Sequence, residues 1–295
     1  MDKLLFTDFF NKLSNVLPPY WLSKVNLLLE SGFSQNDEVQ SYKPTFIASV
    51  LSEPSSKSDE KIILTCRKLL IVGFILNNWS EFNVLQKNVK VQSSYKAYLE
   101  RLCLMLTFDD VQLSDIDIFW KELAIARLQF FPVQAGVVEF YSGFGVKQGI
   151  SFNALQTISF LSILIRFGRK PYYQVHTHTP VLHNFSSEGW INSYCQIAEM
   201  LKDNPHINGI MRGSWFFDPK LKKISPRLSY LQDLPLQNGA QTFCIGKDNS
   251  GSAISKSKSR LQLYNEGKYQ PMNYLLIWPR DAIIGWYDKY KEDKK

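Results

Sequence analysis

Apolar residues recur three and four positions apart in VNLLLESGF (25–33), IILTCRKLLIVGFI (62–75), SYKAYLERLCLML (94–106) and IDIFWKELAIARL (116–128). That spacing lines one face of an α-helix, so residues 1–130 are predicted to form a helical domain. Beyond Phe131-Pro132 the pattern changes. Short runs rich in β-branched and aromatic residues, AGVVEFY, YYQVHTH, INGIMRGSWFF, AQTFCIG and MNYLLIWP, alternate with helical ones, ALQTISFLSILIRFG, GWINSYCQIAEML, SPRLSYLQDL and SRLQLYNEG. Alternation of this kind predicts a layered domain over 131–295. The fold class is α+β or α/β, a helical region followed by a mixed-sheet α/β domain, with a doubly wound sheet as the alternative.

Local signals place some boundaries. Ser186 or Ser187 can cap the helix holding Trp190, Asn204-Pro205 can stop it, and Gly267 can end the helix that begins near Ser257. EPSSKSDEK (53–61) and GKDNSGSAISKSKS (246–259) read as exposed loops.

With 295 residues, 45% of them hydrophobic and 14% aromatic, the chain has enough apolar material for two cores. The formal charge of +7 suits an acidic partner, although part of it lies in short surface runs such as Lys220, Lys222 and Lys223. No compact basic stripe or nucleic-acid motif appears, so no nucleic-acid partner is expected. Cys66, Cys103, Cys195 and Cys244 form no CxxC pair, which argues for thiols in a reducing compartment. Cys195 lies within the apolar periodicity of its helix and reads as a core thiol. The acids in MDKLLFTDFFNKL do not suit a signal peptide, and the expected location is cytoplasmic. The run LLIVGFIL (69–76) falls far short of the roughly 18 residues of a membrane span. The run ISFLSILIRFGRK (158–170) is amphipathic, and it suits either an interior helix covering the sheet or a peripheral contact with a membrane surface.

Candidate chemistry gathers in VHTHTPVLH, which holds His176, His178 and His183. On a strand the period of two puts His176 and His178 on one face. Three readings stay open. The pair with His183, and Glu188 or His206 as a more distant ligand, could hold a metal ion. His176 or His178 could act as a general base at a strand end opening onto a cleft. Both could donate hydrogen bonds at the strand terminus.

Two further stretches bear on binding. Lys256, Lys258 and Arg260 stand among serines at the predicted start of a helix, where amides, hydroxyls and cations favour phosphate. Neither GxxxxGK[ST] nor GxGxxG occurs. In INGIMRGSWFFDP, Gly209 and Gly213 interrupt a strand, which often marks close approach of another backbone or a ligand.

The element order from residue 171 onward resembles the second half of the GNAT acyltransferase fold. In that likeness YYQVHTH is the central strand, the helix near Ser187 faces the cofactor, INGIMRGSWFF is the diverging strand, and AQTFCIG and MNYLLIWP are the last two. The resemblance implies an acyl thioester lying between His176/His178 and the segment Met211, Arg212, Gly213, Ser214 and Trp215. It also implies transfer of the acyl group from CoA or acyl-carrier-protein phosphopantetheine to an amine, with His176 or His178 as base and Lys256, Lys258 and Arg260 toward phosphate. The family's Q/R-x-x-G-x-G/A loop is absent where TPVLHNFSSEG stands, and Glu188 opposes phosphate at that helix end. This departure favours an acidic carrier protein as donor. The alternatives are a metalloenzyme on the histidine cluster and a non-catalytic interaction or membrane-surface protein.

Overall fold

The computed structural model describes residues 3–31, 57–84, 89–107, 111–149 and 154–294. These fold as two compact units, Met1–Val138 with Thr177–His183, and Glu139–His176 with Asn184–Lys295. The sequence reading divides the chain at residue 130; here residues 131–138 and 177–183 also group with the helical part. Among the described residues there are fourteen α-helices and six strands, the strands in one open mixed sheet of order β1-β2-β3-β4-β6-β5.

The first unit is built on α3 (Lys57–Asn77), whose Leu69, Leu70, Ile71, Val72 and Ile75 are fully buried. It packs against α1 (Lys3–Val16), α2 (Pro19–Glu30) and α6 (Ile116–Ala126). A Cβ on Gly73 would come within 2.6 Å of the Leu29 side-chain tip, so the Leu29 side chain of α2 packs directly over this glycine of α3. Short α4 (Trp79–Val84) and α5 (Val89–Thr107) lie between α3 and α6 in the chain. Asp115 caps α6 by accepting from the amides of Asp117 and Ile118. Every residue of α6 from 118 to 126 is buried, Lys121 and Glu122 included. This unit also holds β1 (Phe130–Val133) and the first residues of β2 (Gly136–Ser142). The run EPSSKSDEK lies partly outside the described residues, and from Lys57 onward it is helix.

The second unit is layered. Its strands are the rest of β2, β3 (Tyr172–Thr177, leaving the unit after His176), β4 (Gly209–Ser214), β5 (Gln241–Lys247) and β6 (Met272–Pro279). β3 and β4 run parallel, joined through α9 (Ser187–Asp203), while β6 is antiparallel to both β4 and β5. On one face α8 (Ala154–Phe167) buries Phe160 and Ile163 against Tyr172, Met211, Phe243, Leu275 and Ile277. The Phe160 ring lies 5.4 Å from that of Phe144 and 5.2 Å from that of Phe243. On the other face α9 and α14 (Arg280–Glu292) contribute Trp190, Tyr194 and Trp286 to an aromatic layer around Trp278. The sequence reading had no counterpart for α14 or β1.

Gly209 has φ +144°, and a Cβ there would stand 2.3 Å from the Trp278 carbonyl, so only glycine admits the close approach of β6. Ser186 caps α9 by accepting from Gly189 N–H at 3.1 Å, and Gly267, at φ +68°, follows α13 (Lys258–Asn265), as the sequence signals predict. INGIMRGSWFF is strand only to Ser214, because Trp215–Phe217 turns into a 3₁₀ segment. Two short helices, α10 (Leu221–Ile224) and α11 (Tyr230–Gln237), lead from there to β5. The predicted loop at 246–259 is ordered around Asp248, which accepts from Ser250 and Ala253 amides and so sets α12 (Ser252–Ser255).

At the α8 face Phe160→Ala is expected to lower stability by about 3–5 kcal/mol, read as a shift in the chemical denaturation midpoint. A loss below about 1 kcal/mol would mean that α8 is not packed on the sheet.

Candidate functional site

The parallel pair is joined only briefly. Tyr173 is in register with Ile210 and Gln174 with Met211, and there the pairing of β3 with β4 stops. β4 continues in register with β6 as far as Ser214 opposite Tyr274. The carboxyl ends of β3 and β4 therefore run on without a shared ladder. In open sheets with parallel strands, that end is where ligands bind.

Alternation along each strand decides what faces this opening. Tyr172, Gln174 and His176 share one face of β3, and Tyr172 belongs to the core beneath α8. Continuing the register would set His176 level with Gly213 on the same face. Gly213 is exposed, and a Cβ built there meets nothing within 4 Å. His176 donates through Nε2 to the Glu139 carboxylate of β2, at 2.9 Å from Oε2. Both side chains keep some accessibility, 15% and 16%. Beside them the Ser142 hydroxyl meets Gln174 Oε1 at 2.6 Å. A carboxylate bonded to one imidazole nitrogen orients the ring and favours the proton on that nitrogen.

His178 has a different environment. It lies past the end of β3, in the first unit, and is 1% exposed with Nε2 at 2.9 Å from Glu122 Oε1. Arg101 Nη2 reaches the same oxygen at 2.7 Å, and Lys121 Nζ donates to the Thr177 carbonyl at 2.9 Å. Among the described residues no hydrogen-bond partner reaches His178 Nδ1 or Glu122 Oε2. Burial would raise the Glu122 pKa, but the charge of Arg101 and the bond to His178 outweigh it and hold the carboxyl at about 2. A ring this enclosed offers no edge to an acceptor amine, so His178 is a buried anchor in place of the predicted base. His183 is exposed on a 3₁₀ turn (Thr179–Asn184). No group of three or more His, Cys, Asp or Glu side chains that could hold a metal ion occurs among the described residues.

The residues predicted to bind cofactor separate in the same way. Met211 is core, under α8. Arg212, on the opposite face, is 2% exposed and lies 3.9 Å over the Trp190 ring. Burial depresses its guanidinium pKa against the opposing pull of Tyr194. Ser214 caps the turn by accepting from Phe216 N–H, and Trp215 packs with Leu221 and Ala253. Arg260 turns inward, donating to the Ala253 carbonyl and to Ser225 Oγ and lying 4.8 Å over Trp215, so it ties the 248–260 turn together instead of meeting phosphate. Lys256 and Lys258 remain exposed. Of the predicted set, His176, His183, Gly213, Ser214 and the two lysines are open to solvent in whole or part. Glu139, an acid in the apolar run AGVVEFY, and Glu122, next to Lys121 in IFWKELAIA, carry no other mark of a site in the sequence.

Because Glu122 is held below its ordinary value of 4.5, its contribution is complete above pH 4.5 and is lost as pH falls through about 2. Glu122→Gln is expected to cost about 3 kcal/mol at neutral pH, with the gap from the parent shrinking as pH drops through that window in denaturant titrations. A gap that stays constant down to pH 2 would show that the buried carboxyl is not ionised. Comparison of the chain with protein families, curated proteins and solved structures found no match to any of them.

Proposed function

We propose that the second unit is an acyltransferase of GNAT-like architecture, moving an acyl group from a CoA or acyl-carrier-protein thioester to an amine. The observation that carries this reading is the short pairing of β3 with β4. A parallel pair in register over two positions, with β6 antiparallel on the far side of β4, would leave a slot at its carboxyl end, and a linear thioester suits a slot better than a round cavity. The strand order β2-β3-β4-β6-β5 agrees with the same architecture.

In this reading His176, fixed by Glu139, takes the proton from the acceptor amine as its nitrogen attacks the thioester carbonyl carbon. The C–S bond then breaks, and the pantetheine thiolate takes the proton held by the His176 imidazolium and leaves as a thiol, which returns the base to its neutral form. Backbone N–H groups around Gly213 polarise the carbonyl oxygen, because a residue without a side chain lets the thioester approach the strand. Orientation in the slot supplies much of the rate. Lys256 and Lys258 meet acidic groups of the donor, either CoA phosphates or the surface of a carrier protein.

Purified protein incubated with acyl-CoA or acyl carrier protein and a panel of amines should yield an acylated amine detectable by mass spectrometry. His176→Ala is expected to lower kcat about 10²–10³-fold and Glu139→Gln about tenfold. Lys256→Glu with Lys258→Glu should raise KM for the donor and leave kcat near the parent value. Absence of product with both donors, or full activity in His176→Ala, would overturn the proposal.

A further inference from the structure

Helix α8 is apolar on two opposite faces. Its inner face buries Phe160 and Ile163 in the core. The opposite arc exposes Leu155 (76%), Ile158 (63%), Leu161 (40%) and Ile165 (87%). At 3.6 residues per turn these four fall within roughly a third of the helix circumference, sharing it with Ala154 and Ser162 and with no charged residue. Inner packing requires one apolar face, so the second one has no role in holding the helix to the sheet.

The charge around this arc has one sign. From Gly143 to Pro171 the chain contains no Asp or Glu, and its bases are Lys147, Arg166, Arg169 and Lys170. All four are exposed, the last three at the carboxyl end of α8. An aliphatic arc with a basic fringe matches the boundary of an anionic bilayer, where alkyl side chains enter the acyl region and cations meet lipid phosphates. Protein interfaces favour aromatic residues at their centre and a polar rim of mixed character, and neither is present in this arc.

We infer that the outer face of α8 docks this protein on a membrane surface containing anionic lipid. The inference stands apart from the acyl-transfer proposal, since none of these residues lies in the β3/β4 slot. The test is flotation of the full chain with vesicles of phosphatidylcholine alone and of phosphatidylcholine mixed with phosphatidylglycerol. The parent protein should float with the mixed vesicles and only weakly with the neutral ones. Ile158→Glu with Ile165→Glu should lower the bound partition at least about tenfold. Arg169→Glu with Lys170→Glu should lower it by about fivefold or more per residue, on anionic vesicles alone. Both variants should keep the parent's circular dichroism and melting temperature, and acyl transfer between soluble substrates should be unchanged.

No flotation, or flotation insensitive to Ile158→Glu with Ile165→Glu, would overturn the inference. A solution dimer dissociated by the same substitutions would overturn it in favour of a second copy of the chain. Binding of an acidic carrier protein through this face in place of vesicles would overturn it as well.

Discussion

β4 is held unequally on its two sides. Toward β6 it is in register at six positions, and toward β3 at two. The longer antiparallel ladder dictates the course of β4 up to Ser214, so it is β3 that parts from it. Strand alternation then distributes the side chains. Met211 packs in the core beneath α8 and Gly213 lies on the same side of the strand but is exposed, while Arg212 faces the aromatic layer under α9. The parallel ladder ends at Met211, and two residues further on Gly213 adds no side chain to the same side of β4.

The two units treat buried charge differently. Around Glu122 the compensation comes from Arg101, which shares one carboxylate oxygen with His178 in the part of α6 buried from Ile118 to Ala126. Around Arg212 it is aromatic, with the ring faces of Trp190, Phe216 and Phe217 lying 3.9, 5.7 and 5.4 Å from the guanidinium. The quadrupole of each ring attracts a cation without needing a second buried charge. Arg260 adds hydrogen bonds to neutral oxygens to the aromatic mode, with Trp215 beneath it and the oxygens of Ala253 and Ser225 at its edge. Such arrangements cost desolvation, so a substitution that removes one partner is felt far more than one at the surface.

Much of the secondary structure was legible because apolar spacing is local. The segments that became α3, α5, α6, β3 and β6 were readable by their periods, as were the cap at Ser186 and the stop at Gly267. Helix α14 is hard to read in the sequence although Ile283, Trp286, Tyr287 and Tyr290 keep helical spacing, since charged residues dilute its apolar content. The site was legible only in part. His176 and Gly213 stand out in the sequence as a polar strand end and a strand glycine. Their relation depends on a register that no local pattern encodes. Arg260 looked like a phosphate ligand because the sequence shows a cation at a helix start. Its inward course is decided by Trp215 and Ser225, dozens of residues earlier. His176 and His178 looked equivalent at a spacing of two, yet β3 ends between them, and after it the chain follows other partners.

One side chain closes the sheet at its outer margin. Gln156 of α8 donates to the Cys244 carbonyl at 3.1 Å and accepts from the Cys244 amide at 2.9 Å. Cys244 lies on β5, the last strand in the order, where outward N–H and C=O groups would otherwise offer a template to any extended peptide. By presenting the same donor and acceptor pair as a backbone, the carboxamide acts as a one-residue strand. It ends the sheet chemically and not by distance. Growth by strand addition at that point would first have to displace an intramolecular competitor present at very high effective concentration.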